Sequence, residues 1–455
     1  MRTDPADRGL ISPDTIAAIA TPPGQGGIGI LRLSGSAAEA ILTTVFQRAG
    51  MSAAEAWESH RMYYGWLRAG EETLDEGMAV LMRGPRSYTR EDVAELQLHG
   101  GDWNLQRALT LCLEQGARLA DPGEFTRRAF LAGRIDLARA EAVMALIAAR
   151  GEQQHRAAVR QLRGGVTAFV RQAADDLFAI QAGLAAAIDY PEEISEAEGT
   201  AKMIPRLEKL IARLRDGIQE RSSRLLEEGL RVALAGRPNV GKSSLLNALL
   251  GEEKAIVTPI PGTTRDLVTG EMSLGGVRVQ LTDTAGLRNT EDVVERLGVA
   301  RSRQAMAEAD LTLLVLDGSG PMTPEDRELL DQLPEEAAIF VNKQDLPQRL
   351  VLPGARVPVF QGSAKRPETL DALKTFLRSR TALSDRMAVT QPRHLDALRR
   401  AVGSLEAALE TARTMPPDLA ATDLQAAQAA LGEITGDQVD EKLLDAVFSQ
   451  FCVGK

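Results

Sequence analysis

Cysteine is nearly absent from this chain. Two occur in 455 residues, Cys112 and Cys452. Thiols so far apart make no disulfide framework, and a reducing cytoplasm is the expected compartment. Aromatic residues are scarce at 4%, which leans toward Ala- and Leu-rich helical packing. The four histidines include no pair at ligand spacing, so no histidine-built metal site is expected. No apolar run approaches the roughly 18 residues of a membrane span. The start, MRTDPADRGL, is polar and lacks the apolar core of a secretory leader. Positive charge is not in excess either. A net charge of -10 argues against coating nucleic acid by bulk electrostatics, while leaving room for a local basic patch or a basic partner.

What is present has an order. Apolar content of 44% and charged content of 25% are ordinary for a globular protein, and the length suggests about three domains. Across residues 15–126, TIAAIAT, IGILRLS and VAELQLHG read as strands, and WNLQRALTLCLEQG as a helix ended by Gly116. From LARAEAVMALIAAR to ERSSRLLEEG the spacing is helical, with DYPEE at Pro191 and the step at Pro205 expected to interrupt it. RVALAG, RVQLTD, LTLLVLD, AAIFVN and VPVFQ then alternate with helical segments. That alternation predicts an open, largely parallel sheet covered by helices on both faces. EMSLGGVRVQLTD predicts a hairpin turning at Gly275-Gly276. From about residue 385 the pattern is helical again. The α/β part is either an insertion in one helical domain or a divider between two.

LRVALAGRPNVGKSSLLNALLG carries G-x-x-x-x-G-K-S at Gly236, Gly241, Lys242 and Ser243, after a predicted strand and opening a predicted helix. The glycines let backbone N–H groups curl around a phosphate, and the helix start adds positive potential. Lys242 can reach the β- and γ-phosphates, and Ser243 can ligate Mg²⁺. LTDTAG puts Asp283 at a strand end, where it can hold Mg²⁺ through water, and Gly286 can offer its N–H to a γ-phosphate. IFVNKQD puts Asn342, Lys343 and Asp345 after another strand. A carboxylate there accepts from both N1–H and the 2-amino group of guanine, which adenine cannot match. The series resembles the GTPase superfamily, and Ser363, Ala364 and Lys365 of GSAK fit its last base-contacting loop. Thr264 in AIVTPIPGTTRD would complete the Mg²⁺ shell as part of a switch. Leu287 stands where many GTPases carry a water-orienting Gln, and it cannot polarise water. Either hydrolysis is very slow or another group does the work; Glu295 in VVERLG could orient a water, but by itself it reads as a solvated helix residue. Asn239 can bring its amide oxygen to a monovalent cation beside the β–γ bridge, in the role of an arginine finger.

These motifs, with ATPPGQGGIGILRLSG, EDVAELQLHGG, DPGEFTRRAFLAGRIDLARAEAV, IDYPEE, TPIPGTTRD, VERLG and the final FCVGK, together resemble the tRNA modification GTPase family MnmE, or TrmE. The resemblance runs in the family's order from about residue 14 to the end. It implies a multidomain α/β and α protein. An α+β folate-binding domain would span residues 1–128, a helical domain 129–228 and 383–455, and an inserted Ras-like P-loop GTPase domain with a doubly wound sheet 229–382. It implies a cytoplasmic homodimer that forms a heterotetramer with the FAD-dependent partner MnmG (GidA). The pair would install a carboxymethylaminomethyl or aminomethyl group at C5 of the wobble uridine of certain tRNAs, with 5-formyl- or 5,10-methylene-tetrahydrofolate as one-carbon donor. Potassium would bring the G domains together and activate hydrolysis.

Carried over by motif, GTP contacts fall to Asn239, Val240, Gly241, Lys242, Ser243 and Ser244. They continue through Thr258, Pro259, Ile260, Pro261, Gly262, Thr263 and Thr264, then Asp283, Thr284, Ala285 and Gly286. Asn342, Lys343, Asp345, Ser363, Ala364 and Lys365 meet the base. Potassium falls to Asn239, Thr258, Ile260 and Thr263, Mg²⁺ to Ser243 and Thr264, and the attacking water to Glu295. Folate falls to Arg32, Glu95, Arg134 and the terminal Lys455. Arg134 stands where the family often has Lys, and Arg90 where it commonly has Gly. In FCVGK, Cys452 is either a thiol serving the chemistry or a buried small hydrophobe. Three further features read as structural. Gly24, Gly26 and Gly29 match a dinucleotide fingerprint, but a strand-like run follows, so the segment reads as a turn beside the folate site. His99 reads as a turn histidine, and Arg127 and Arg128 as a solvated helix face.

Overall fold

The computed structural model describes residues 14–52, 54–149, 151–190, 192, 196–252, 268–283, 308–382 and 389–454. They form two compact units. One runs to Met144 and takes in Gln161–Leu210 and the chain from Gly403. The other comprises Ala145–Arg160 and Ile211–Val402.

The first unit is built on a seven-stranded sheet: β1 (Ile16–Ile19), β2 (Ile28–Ser34), β3 (Phe46–Arg48), β4 (Met62–Ala69), β5 (Glu72–Met82), β6 (Val93–His99) and β7 (Arg118–Leu119). Their spatial order is β3-β4-β5-β6-β2-β1-β7. All neighbours are antiparallel except β1 and β7. The expected strands TIAAIAT, IGILRLS and VAELQLHG are β1, β2 and β6. Along β4, Tyr63, Gly65 and Leu67 are buried while Met62 and Tyr64 are exposed, the period-2 signature of a half-covered strand. Leu31, Leu33, Leu67, Leu81 and Leu96 form the inner face, covered by helices Ala38–Val45 and Asp102–Glu114. In the same unit, helix Gly165–Asp189 packs against helix Ala421–Thr435. Helices from either side of the α/β segment therefore share one core, with Leu177, Leu184, Leu424 and Leu431 buried.

Pro205 does not interrupt its helix, which runs unbroken over Glu196–Gly217. A proline removes one backbone hydrogen bond. Met203, Leu207, Leu210 and Leu214 on the buried stripe keep both sides docked.

The second unit holds β8 (Leu230–Ala235), β9 (Val268–Leu274), β10 (Val277–Asp283), β11 (Leu311–Asp317), β12 (Ala337–Asn342) and β13 (Val359–Gln361), in the order β13-β12-β11-β8-β10-β9. All pairs are parallel except the β9–β10 hairpin. That hairpin turns at Gly275 (φ 58°) and Gly276 (φ 78°), as a two-residue turn with both central φ angles positive requires. Leu311–Leu316 are all buried because helices cover both faces of the sheet. Leu313 and Val315 pack with helices Lys242–Glu252 and Asp371–Arg380, and Leu314 and Leu316 with Leu329 and Leu330 of helix Pro324–Asp331.

Candidate functional site

The parallel strands deliver their carboxyl ends to one edge. Asp283 is in register with Leu234 near the end of β8, and Asp317 with Asn342. The chain turns to opposite sides of the sheet around β8, which makes this edge the crevice where ligands bind in open α/β sheets. The P-loop leaves β8 here and leads into helix Lys242–Glu252.

Within the loop, Lys242 is only 4% exposed, and its ammonium donates to the carbonyls of Gly236 (2.6 Å) and Arg237 (3.0 Å). Gly241 adopts φ 99°, and a Cβ there would lie 2.3 Å from Asn342 Nδ2. Only glycine satisfies both conditions. Asn239 is exposed with φ 64°, a left-handed conformation that asparagine tolerates. Ser243 and Ser244 sit exposed in the first turn of the helix, and Val240 is buried.

Asn342 is 2% exposed and ties two loops together. Its Nδ2 donates to the Val240 carbonyl (2.9 Å), and its Oδ1 accepts from the Ala364 N–H (3.0 Å). Ser363 Oγ donates to Asp345 Oδ1 at 2.6 Å, which holds that carboxyl below its usual range. The Lys365 N–H donates to Ser363 Oγ. Lys343, at φ 65°, donates to Asp317 Oδ2 at 2.7 Å. Burial alone would push the Asp317 carboxyl up, but Lys343 and the Ser319 hydroxyl and N–H outweigh it and bring it down. Asp317 was not a sequence candidate. Its one signal is a carboxylate ending an apolar strand, LTLLVLD. Thr258–Thr264, Thr284, Ala285, Gly286, Leu287 and Glu295 lie outside the described residues, so Ser243 alone represents the Mg²⁺ set here and Asn239 the potassium set.

The first unit brings together a second group of expected residues. Arg32 and Glu95 are cross-strand partners on β2 and β6, with Arg32 Nε 2.8 Å from Glu95 Oε1. Arg32 also donates to the Gly454 carbonyl at 3.3 Å. Its guanidinium lies 5.8 Å from the Tyr88 ring centroid, and that of Arg134 lies 4.7 Å from the same ring. Arg134 donates to the Tyr88 carbonyl at 3.0 Å. Tyr88 thus joins the two arginines, although sequence reasoning passed over it. Arg90 holds φ 66°, so this turn keeps a glycine-type backbone with an arginine in place.

The tail docks beside this group. Gly454 has φ 91°, and a Cβ on it would lie 2.5 Å from the Ile19 carbonyl. The Gly123 N–H donates to the Cys452 carbonyl at 3.3 Å, and Phe451 is buried against Phe448. Cys452 is exposed, which removes the buried-hydrophobe reading. Lys455 is outside the described residues.

β2 starts at Ile28, so Gly24 and Gly26 lead into a strand that contains Gly29, not into a phosphate-binding helix. His99 ends β6 and contacts Asp75 at 2.7 Å; the carboxylate raises its pKa. The solvated-face reading fails for Arg128, while Arg127 stays partly exposed. Arg128 is 4% exposed and contacts Asp14, Glu91 and Glu124, while Arg127 pairs with Asp445 at 3.0 Å. In GEFTRRAF the helix turns Arg128 inward, where acids from three segments converge.

A P-loop at the carboxyl edge of a doubly wound sheet, joined by Asn342 to the loop that carries Ser363, Ala364 and Lys365, defines a domain of the P-loop GTPase class. Two family models match the chain: "GTP-binding protein TrmE N-terminus" over residues 15–134, and "MnmE helical domain" over 137–452. Proteins named tRNA modification GTPase MnmE are similar along almost the whole length. The one from Heliobacterium modesticaldum is 45% identical over 97% of this chain and 99% of its own, and the one from Symbiobacterium thermophilum 46% over the same shares. A crystal structure of an Aquifex aeolicus Era variant bound to GDP·AlF4⁻ is 24% identical over 38% of this chain and 66% of its own, with a TM-score of 0.27. The chain belongs to the tRNA modification GTPase MnmE family.

Proposed function

We propose that this protein is a GTP hydrolase of tRNA modification, activated by potassium. With the FAD-dependent partner MnmG it installs a carboxymethylaminomethyl or aminomethyl group at C5 of the wobble uridine. It works as a cytoplasmic homodimer with a tetrahydrofolate one-carbon donor. The proposed domains are 1–128 for folate, 229–382 for GTP, and 129–228 with 383–455 for the helical part. The observation that carries the GTP reading is the Asn342 side chain, which links the Val240 carbonyl of the P-loop to the Ala364 N–H of the base loop. Among the described residues, no helix is long and apolar enough to cross a membrane.

In this reading the P-loop N–H groups and Lys242 bind the β- and γ-phosphates, and Asp345 selects guanine. Ser243 and Thr264 hold Mg²⁺, with Asn239, Thr258, Ile260 and Thr263 around potassium. These cations, when bound, neutralise charge that develops as the γ-phosphoryl group leaves. Glu295 orients the attacking water in place of the glutamine that Leu287 replaces. The second site supports a reduced folate by its chemistry: two guanidinium groups flank one aromatic ring beside a carboxylate, which suits a ligand that is both aromatic and anionic.

The test is GTP hydrolysis in potassium and in sodium at matched ionic strength, with Asn239→Ala as control. Activation by potassium that is lost in the variant supports the mechanism. Equal, slow rates in both salts would sink self-activation and favour a switch awaiting an outside activator.

A further inference from the structure

We infer that Asp326, which lies outside every nucleotide motif, is a positioning residue for the P-loop lysine and acts through Arg237. The inference rests on the reading of this loop as a GTP site. Asp326 is only 2% exposed. Its Oδ1 lies 3.2 Å from Arg237 Nε. Its Oδ2 accepts from the Thr323 hydroxyl (2.8 Å) and the Thr323 N–H (3.1 Å), while its own N–H donates back to Thr323 Oγ1. This is a capping box at the start of helix Pro324–Asp331. The carboxylate is therefore oriented by a helix start and buried, and a buried carboxylate needs a cation.

Arg237 supplies that cation from inside the P-loop, and its carbonyl, with that of Gly236, accepts from the Lys242 ammonium. The loop is thus pinned at both ends: at Val240 by Asn342, a motif residue, and at Arg237 by Asp326, which no motif contains. If the Arg237 guanidinium moves away, the buried carboxylate keeps its Thr323 hydrogen bonds but loses its cation. That cost keeps its carbonyl, and with it Lys242, in place before nucleotide arrives. Pre-placement of this kind improves binding by removing ordering costs.

The test measures binding of a fluorescent GDP analogue and steady-state GTP hydrolysis on the full-length protein. The variants are Asp326→Asn, Arg237→Met, the two combined, Arg237→Lys and Thr323→Ala. Each of the first two is expected to raise Kd and KM about tenfold, the effect of one lost charge-assisted hydrogen bond, with a much smaller change in kcat. The combined variant should be no worse than either, because both break one chain of contacts. Arg237→Lys should recover most of the loss. Thr323→Ala should lower the melting temperature and leave KM within about twofold, since it removes the cap but not the ion pair. Unchanged KM in both single variants, or a KM rise reproduced by Thr323→Ala, would reduce Asp326 to a helix cap. If Asp326→Asn does not fold, the Arg237 variants decide the question. If the wild type itself fails to bind the analogue, the GTP reading falls and this inference with it. If the wild type binds and the Arg237 variants match it, only the positioning role falls.

Discussion

Replacing Arg128 by Met should unseat the first unit and loosen its proposed folate site together. The guanidinium contacts Asp14 Oδ1 at 2.8 Å, Glu124 Oε1 at 2.8 Å and Glu91 Oε2 at 3.2 Å. Methionine fills much of the volume but leaves three carboxylates facing one another. Removing one partner of a buried ion cluster costs about 3–5 kcal/mol. Arg118 still reaches Asp14 and Glu124, both at 2.6 Å, and Asp14 and Glu91 are partly exposed, so the low end applies. The three tryptophans, Trp57, Trp66 and Trp103, all belong to this unit, so tryptophan fluorescence during urea unfolding reports on it alone. A loss of about 3 kcal/mol with a slope of about 2 kcal/mol/M lowers the midpoint by roughly 1.5 M. The pH dependence carries a second sign. Burial alone would push the Glu124 carboxyl up, but hydrogen bonds from Arg118, the Asp121 N–H and Arg128 outweigh it and hold it down. A depressed carboxyl adds stability above its unfolded pKa of about 4.3, and that stability is lost as pH falls through the lower folded value. The wild type should therefore lose more on acidification than Arg128→Met, and the gap between them should narrow below about pH 5. A midpoint shift under about 0.3 M, or a gap that widens in acid, would refute the cluster as a source of stability. Because Glu91 follows closely on Tyr88, the same variant should also weaken the proposed binding of a reduced folate, as calorimetry would show.

Other outcomes follow from single residues. Asp345→Asn should cut GTP affinity about 100-fold, because an amide cannot accept from both guanine donors; XTP, which offers one donor and one acceptor, should bind better than before, as competition assays would show. Gly454→Ala meets φ 91° and the Ile19 carbonyl at 2.5 Å; the strain of about 1–2 kcal/mol should lift the tail and lower folate affinity, and an unchanged titration would detach the tail from that site. Burial pushes the Cys112 thiol up to about 12, while Cys452 is exposed. Iodoacetamide at neutral pH should therefore add one group to the native chain, at Cys452, and a second only after unfolding, by mass spectrometry.

The sequence by itself determined the local and periodic features. G-x-x-x-x-G-K-S, the Asn-Lys-x-Asp series, the five apolar runs of the α/β unit and the Gly275-Gly276 hairpin are encoded within a few residues, so each can be read where it stands. The order of strands in the α/β unit was legible for the same reason, whereas in the first unit only β1, β2 and β6 were, and β3, β4, β5 and β7 were not. Contacts between distant segments were decided only by the tertiary structure. Arg128 looked like a surface charge because nothing in GEFTRRAF shows that Asp14 and Glu91 will meet it. Tyr88 gained its place between Arg32 and Arg134 through the crossing of β2, the turn after β5 and the helix Glu124–Leu131. Pro205 looked like a break, since its local rule is broken only by packing on both sides. Nothing in the sequence around Asp326 points to Arg237, and only the folded sheet brings the two together. Backbone chemistry acts over neighbouring residues and leaves a pattern in the letters; burial and charge pairing act across the fold and leave none.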